Sequence, residues 1–280
     1  MTFLYGKIVA ERLYEETKER IMQSGITPGL GVILAGNDPA SHLYVGLKEK
    51  AAKRVGIDFE KKLFSEDVSP AEIIAAIEEF NKREDIHGIL VQLPLPSGLP
   101  TDEIISSLDP KKDTDGFHKK TIAEFLAGDK EKCPVFPRAI VELLRETKHV
   151  FENEKGIVIA NSLLMGNVMA EVLTLEGMES EFIRSSEPKS LMVEKLKEAK
   201  VLITACGIPR FITGDMLPEG IIVIDGGIEH EGEKVVGDVE EESVSSKASF
   251  LSPVPGGVGP VTVATLLARV TDAALESIDK

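Results

Sequence analysis

The stretch KGIVIANSLLMGNVMAEVLTLEGMESEFIR, residues 155–184, decides the fold. KGIVIA (155–160) is an apolar run of strand length, NSLLMGN opens a segment of helical period, and SEFIR (180–184) is a second strand. Two strands joined through a helix make a parallel βαβ unit. Downstream, KVLITAC (200–206) and GIIVID (220–225) continue the alternation and predict a sheet in this half. Upstream, GLGVILAG (29–36) reads as a buried strand, His42 to Val55 and Ser69 to Asn81 as helices, and HGILVQL (87–93) as a strand ending at polar Gln92 before PLPSG. Ser69, Pro70 and Glu72 give the second helix its N-cap, first-turn proline and capping-box acid. The predicted class is α/β, with two lobes. The 280 residues suit about two domains at ~150 residues each. The expected division is 1–136 with a returning helix over 260–280, against 137–259. AGDKEKCPVFPR (127–138) and SPVPGGVGP (252–260) are the expected crossings, with a cleft between the lobes.

Composition narrows the function. Hydrophobic residues at 42% and charged residues at 28% are those of an ordinary globular chain. The net charge of -15, spread along the chain, repels polyanions, so nucleic-acid binding is disfavoured. No uninterrupted apolar run approaches the ~20 residues of a membrane span, and the first residues, MTFLYGKIVAER, lack a signal-peptide pattern. A cytoplasmic protein with no membrane partner is expected. Cys133 and Cys206 are the only cysteines, and the five histidines lack metal-binding spacing, so metal-free catalysis is the default.

Within the helix beginning near Pro39, Leu43, Leu47, Ala51 and Val55 recur every four residues and predict the buried stripe, with Tyr44 and Lys48 as a parallel row at its edge. On periodicity alone Lys48 reads as a solvated helix lysine, with a ligand-binding one as the alternative. Lys112, Asp113 and Asp115 lie in PKKDTDGFH (110–118), a charged turn closed by Gly116. A carboxylate there can be a turn former or a clamp for a heterocycle's N–H edge. Gly166 follows the strand ending at Ala160, but no G-x-G-x-x-G can be written. ACGIPRF (205–211) and IDGGI (224–228) each offer glycines for close backbone approach, or plain turns. In PVPGGVGP (253–260) three glycines and three prolines bend and stiffen a single loop. Cys206 reads as a small core or cleft residue.

GNDPASHLYVGLKEKA (36–51), GILVQLPLP (88–96), KDTDGF (112–117), VIDGGI (223–228) and PVPGGVGPVTVATL (253–266) follow one another in the order found in a known family. Over essentially its full length the sequence resembles the bifunctional methylenetetrahydrofolate dehydrogenase/cyclohydrolase family. The resemblance implies oxidation of 5,10-methylenetetrahydrofolate with NADP, then hydrolysis of the methenyl product to 10-formyltetrahydrofolate. It implies a folate-binding catalytic domain first and a Rossmann-like NADP domain second, tetrahydrofolate derivatives as partners, and a homodimer. By the same resemblance Lys48 is the catalytic lysine, Tyr44 stacks on the folate, Gln92 positions the lysine and Asp115 holds the pterin. Leu93, Pro94, Pro255, Gly256 and Gly257 are implied on the substrate. Ala160, Asn161, Ser162, Cys206, Gly207, Ile228 and Thr262 are implied on the cofactor.

This chain departs from the family in the cofactor half. Ala160 and Asn161 replace a usual glycine and basic residue, Val168 replaces a proline, and PVFPRA (134–139) lacks the usual cysteine, threonine and glycine. Arg184 and Ser185, at the end of the second strand, are expected to hold the 2′-phosphate instead. A dehydrogenase with little cyclohydrolase activity and a non-catalytic nucleotide-binding module are the alternatives. The retained Tyr44, Lys48, Gln92 and Asp115 speak against both.

Overall fold

A computed structural model of the protein describes residues 1–232 and 234–278. In chain order its strands and helices are β1 (Thr2–Phe3), α1 (Gly6–Ser24), β2 (Gly29–Ala35), α2 (Pro39–Val55), β3 (Asp58–Phe64), α3 (Pro70–Lys82), β4 (Gly88–Val91), α4 (Thr101–Ser106), α5 (Lys119–Leu126) and α6 (Val135–Glu146). There follow β5 (Lys155–Ala160), α7 (Leu163–Leu175), β6 (Glu179–Arg184), α8 (Lys189–Leu196), β7 (Val201–Ala205), β8 (Ile222–Asp225), β9 (Glu229–Glu231), β10 (Lys234–Val236), α9 (Glu241–Ser245), β11 (Phe250–Leu251) and α10 (Val258–Ile278). The fold is α/β, and it divides into two compact units.

One unit comprises Glu11–Val135 and Val263–Lys280. Its parallel sheet has the order β3-β2-β4. Strand β2 is buried along its whole length because both faces are covered. Leu30, Val32 and Leu34 pack with Val45, Ala52 and Val55 of α2 and with Leu266, Leu267 and Val270 of α10. Ile33 and Ala35, pointing the other way, pack with Ile73, Ile77 and Phe80 of α3. Helix α10 returns to the first helix, where Asp272 pairs with Arg20 at 2.6 Å. Among the described residues α10 is the one helix long and apolar enough to cross a membrane by length and composition; 56% of its most apolar window is buried inside the protein, as a core helix requires.

Local signals account for the helix starts. Asp38 caps α2 by accepting the Ser41 N–H at 2.8 Å, with Pro39 in the first turn, so the helix opens three residues before His42. The expected capping box of α3 is present. The stripe on α2 is a correction. Leu43 and Leu47 are 63% and 45% exposed, and the buried residues are Ser41, Val45, Ala52 and Val55. The buried face follows alternating steps of four and three, the true helical period, where strict steps of four drift around the helix. Lys48 lies between Val45 and Ala52 in that series and therefore on the covered side.

The other unit comprises Met1–Ala10 and Phe136–Thr262. In this division the first ten residues group with the second half of the chain. They do so because β1 pairs in parallel with β11 at the edge of a sheet ordered β1-β11-β8-β7-β5-β6. From β5 the chain passes through α7 to β6 on one side, then through α8 to β7 on the other. The order reverses at β5, which opens a ligand crevice at the carboxyl ends of the strands. Glycine permits close packing behind it. A Cβ on Gly166 of α7 would lie 2.1 Å from the ring of Phe182 on β6. Gly166→Ala is expected to lower stability by about 1–3 kcal/mol through this overlap. Denaturant midpoints check it: adding Phe182→Leu should restore part of the loss, and an unchanged midpoint in the single variant would refute the packing argument.

Candidate active site

The first cluster is built in the three-stranded unit. Strand β4 ends at Val91, and the next residue, Gln92, still donates its N–H to Ile33 O at 2.9 Å. Its side-chain amide is oriented by donation from Nε2 to Leu93 O at 2.6 Å, which turns Oε1 toward Lys48. Lys48 Nζ donates to that oxygen at 2.9 Å. The KDTDGF segment runs beside the same strand: Ile89 donates to Lys112 O at 2.7 Å and Thr114 donates to Ile89 O at 3.2 Å. Asp115 is thereby carried to within electrostatic reach of Lys48. Tyr44, one turn before Lys48 on α2, is half-buried.

The charged residues of that segment divide their work. Asp113 is 4% exposed and builds the turn, accepting from Gly116 N at 3.1 Å and His118 N at 2.9 Å. Lys112 donates to the carbonyls of Phe80, Asn81 and Arg83 at the end of α3. Both are structural. Asp115 commits no side-chain oxygen to the turn among the described contacts, and Arg269 of α10 adds a positive charge on its side. No sequence pattern marked Arg269, whose guanidinium donates to Cys133 O at 2.7 Å.

Burial and charge act on this pair in opposite directions. Desolvation lowers the Lys48 pKa from its ordinary 10.5, and the Asp115 charge opposes that without cancelling it. Desolvation likewise raises Asp115 above its ordinary 3.8; Lys48 opposes, the neighbouring Asp113 charge reinforces, and Arg269 opposes. Each group is moved toward its neutral form. Neutral Lys48 can accept a proton, and a carboxyl at Asp115 can bond a heterocycle's polar edge.

A second cluster lies in the six-stranded unit. Register aligns Ala160 of β5 with Arg184 of β6 and with Ala205 of β7, so three carboxyl ends are level. Asn161 donates to Ala205 O at 3.2 Å and Ser185 to Ala160 O at 2.9 Å, joining the three loops. Ser162 caps α7 by accepting from Met165 N at 3.3 Å, and its helix start faces solvent at Asn161 and Ser162. These residues suit a dinucleotide. A capped helix start offers N–H groups to a pyrophosphate, Arg184 is exposed, and Ala160 is 0% exposed, so its methyl stays in the core. Glu181 sits mid-strand opposite Ile157, three residues short of the end of β6, and pairs with Lys195 at 3.0 Å.

Cys206 differs from the other expected contacts. It is 1% exposed, its thiol points to Ile159 O at 3.4 Å, and burial pushes its pKa up. Its N–H is held by Asp238, so neither group can reach a ligand. Gly207 beside it has φ 66°, and Ile228 is 45% exposed. Thr262 commits its hydroxyl within the first turn of its own helix, donating to Gly259 O at 2.7 Å. The Pro255, Gly256 and Gly257 loop is pinned by Gly6 N, which donates to Gly256 O at 2.8 Å. Leu93–Pro94 and Val254–Pro255 are cis peptides.

Comparison with known proteins shows the family of the chain. Residues 4–115 match the tetrahydrofolate dehydrogenase/cyclohydrolase catalytic domain, and residues 134–278 match the NAD(P)-binding domain of that family. The bifunctional protein FolD of Methanococcoides burtonii is 40% identical over 269 residues, covering 95% of this chain and 93% of its own. The bifunctional FolD methylenetetrahydrofolate dehydrogenase/cyclohydrolase of Campylobacter jejuni superposes with a TM-score of 0.92 at 36% identity, covering 99% of each chain. The Trypanosoma brucei dehydrogenase-cyclohydrolase complexed with NADP cofactor and inhibitor superposes with a TM-score of 0.93 at 27% identity, covering 99% of this chain and 98% of its own. A capped helix start at a strand-order reversal, a desolvated lysine held by a glutamine, and full-length matches in sequence and structure lead to one conclusion: this chain belongs to the tetrahydrofolate dehydrogenase/cyclohydrolase family.

Proposed function

We propose that Lys48, Gln92, Asp115 and Tyr44 carry the chemistry of an enzyme that oxidises 5,10-methylenetetrahydrofolate with NADP and hydrolyses the methenyl product to 10-formyltetrahydrofolate. The observation that carries this reading is the Lys48 Nζ to Gln92 Oε1 hydrogen bond of 2.9 Å in a setting that favours the neutral amine. NADP supplies the hydride acceptor. A neutral Lys48 does not repel the cation that forms between two folate nitrogens as hydride leaves. In the hydrolytic step it accepts a proton from water adding to the methenyl carbon, and its protonated form returns a proton to the leaving nitrogen. Gln92 fixes the amine's position, Asp115 accepts the pterin's N–H edge, and Tyr44 stacks on the ring. Leu93, Pro94 and the Pro255–Gly257 loop complete the folate contacts, while Asn161, Ser162, Arg184, Ser185, Gly207 and Ile228 receive the cofactor.

A homodimer acting in the cytoplasm, without nucleic-acid or membrane partners, completes the proposal. The charge of -15 supports exclusion of polyanions, and two buried cysteines not joined in a disulfide suit a reducing compartment. The dimer rests on family resemblance.

Lys48→Met is expected to abolish methenyl hydrolysis above the buffer rate. A lysine with a lowered folded-state pKa weakens the fold while protonated, and that penalty fades as pH rises through the folded value. The variant should therefore unfold at no lower a denaturant concentration than the parent at pH 7. The parent's hydrolysis should rise with pH, its midpoint below 10.5. Hydrolysis at the parent rate would reject the assignment.

Asp115→Asn is expected to weaken folate binding by about tenfold, because an amide replaces charge-assisted bonds only in part. NADP affinity should not change. Separate titrations decide it, since equal losses for both ligands would make Asp115 a structural residue. In the parent, folate affinity should fall as pH drops through an Asp115 pKa lying above 3.8.

NADP is expected to be preferred over NAD through Arg184, whose guanidinium suits a phosphate dianion. Measuring kcat/KM with both cofactors tests this, and Arg184→Ala should lose most of the preference. A parent that favours NAD, or a variant that keeps its NADP preference, would exclude the arginine from this role.

A further inference from the structure

Two buried carboxyl groups beside the loop after β7 have no part in the proposed chemistry. Asp225, the last residue of β8, is 3% exposed and Asp238 is 0% exposed. Asp238 Oδ2 accepts the Cys206 N–H at 2.6 Å, and Oδ1 accepts the Ile208 N–H at 2.9 Å. One carboxylate thus closes both ends of a turn whose middle residue is Gly207. Asp225 in turn holds the segment that brings Asp238 there. Its oxygens accept from Asp238 N at 3.1 Å, Val239 N at 3.0 Å, Gly227 N at 2.9 Å and Thr204 Oγ1 at 3.2 Å.

The surrounding sequence makes room for both groups. A Cβ on Gly227 would lie 2.5 Å from Asp238 Oδ1, and one on Gly237 would lie 2.0 Å from Asp225 Oδ2. Neither carboxylate has an ion-pair partner among the described residues, so backbone N–H groups and one hydroxyl hold them. Two like charges buried together are unfavourable. Desolvation pushes Asp225 up to about 6, with Asp238 adding to the effect against the N–H donors. An amide in place of Asp238 would turn one NH2 group toward a backbone N–H, whereas a carboxylate accepts from both. The arrangement is therefore specific to a two-acceptor group at this turn.

We propose that Asp238 is a positioning residue for the nucleotide: it clamps the 206–208 turn so that Gly207 presents its backbone to the cofactor, with Asp225 bracing the clamp. This rests on the reading that the turn contacts NADP. The test titrates NADP calorimetrically without folate and, separately, measures hydrolysis of added methenyltetrahydrofolate, for the parent, Asp238→Asn and Gly207→Val. Asp238→Asn should weaken NADP binding and raise its KM by about tenfold, with kcat at saturating NADP and hydrolysis near parent values. If Gly207→Val weakens NADP and Asp238→Asn does not, the clamp is wrong and the cofactor reading stands. If neither weakens it, the turn is not a cofactor contact and both fail. Loss of hydrolysis alongside NADP binding would make Asp238 a general support of the fold and overturn the proposal. Should Asp238→Asn not fold, Asp238→Ser, which keeps one acceptor, is read by the same criteria.

Discussion

In a parallel sheet all strands run one way, so their carboxyl ends gather on one edge and every return must pass over a face. Both units of this protein are built under that constraint. It buries β2 and β5 on both faces, and it sets the loops that follow the strands side by side. Ala160, Arg184 and Ala205 are level because strand register makes them so. Gln92 and Asp115 are neighbours of one strand for a similar reason, with the KDTDGF segment hydrogen-bonded along β4. No single loop carries a complete site. Each supplies one or two groups, and the sheet fixes their spacing.

The two units treat buried charge differently. Around Lys48 and Asp115, desolvation outweighs mutual attraction, and both groups shift toward neutrality. That state suits a site where protons must move at ordinary pH. Asp225 and Asp238 have no ion-pair partner among the described residues, and their oxygens are filled by N–H and O–H donors that fix backbone geometry. The first arrangement keeps a side chain reactive; the second holds a turn in shape. Both occur in an acidic chain, where the overall field makes local desolvation and hydrogen bonding the controlling influences.

The strands that specify the architecture were legible because they are apolar on both faces. β5, β7 and β8 fall within the runs read from the sequence, and the capping box of α3 occurs where Ser69 and Glu72 predict it. Strand β3 was not legible: DFEKKLF carries Lys61 and Lys62 on an edge strand that pairs only with β2, as edge strands tend to. The stripe on α2 was misread because leucines invite assignment to the core, while the buried positions include Ser41 and Lys48's neighbours Val45 and Ala52. Of the site, Lys48 and Gln92 could be singled out locally but paired only through resemblance, since their contact spans 44 positions and no local period reports it. No sequence pattern marked Asp238, whose contacts with Cys206 and Ile208 span 32 and 30 positions.

The pairing of Thr2 with Phe250 has a consequence for how the chain is made. Strand β1 leaves the ribosome long before its partner β11 exists, so the edge of the six-stranded sheet closes late in synthesis. Throughout that interval the first residues have no docking surface, although α1, which follows them, can already begin to pack in the other unit through Ile21. The sheet edge nearest the PVPGGVGP loop therefore closes only once Leu251 has been made, late in synthesis, as does the packing of α10 on β2. A peptide appended ahead of Thr2 would act on that late step, and so on the loop, while leaving the three-stranded unit to form undisturbed.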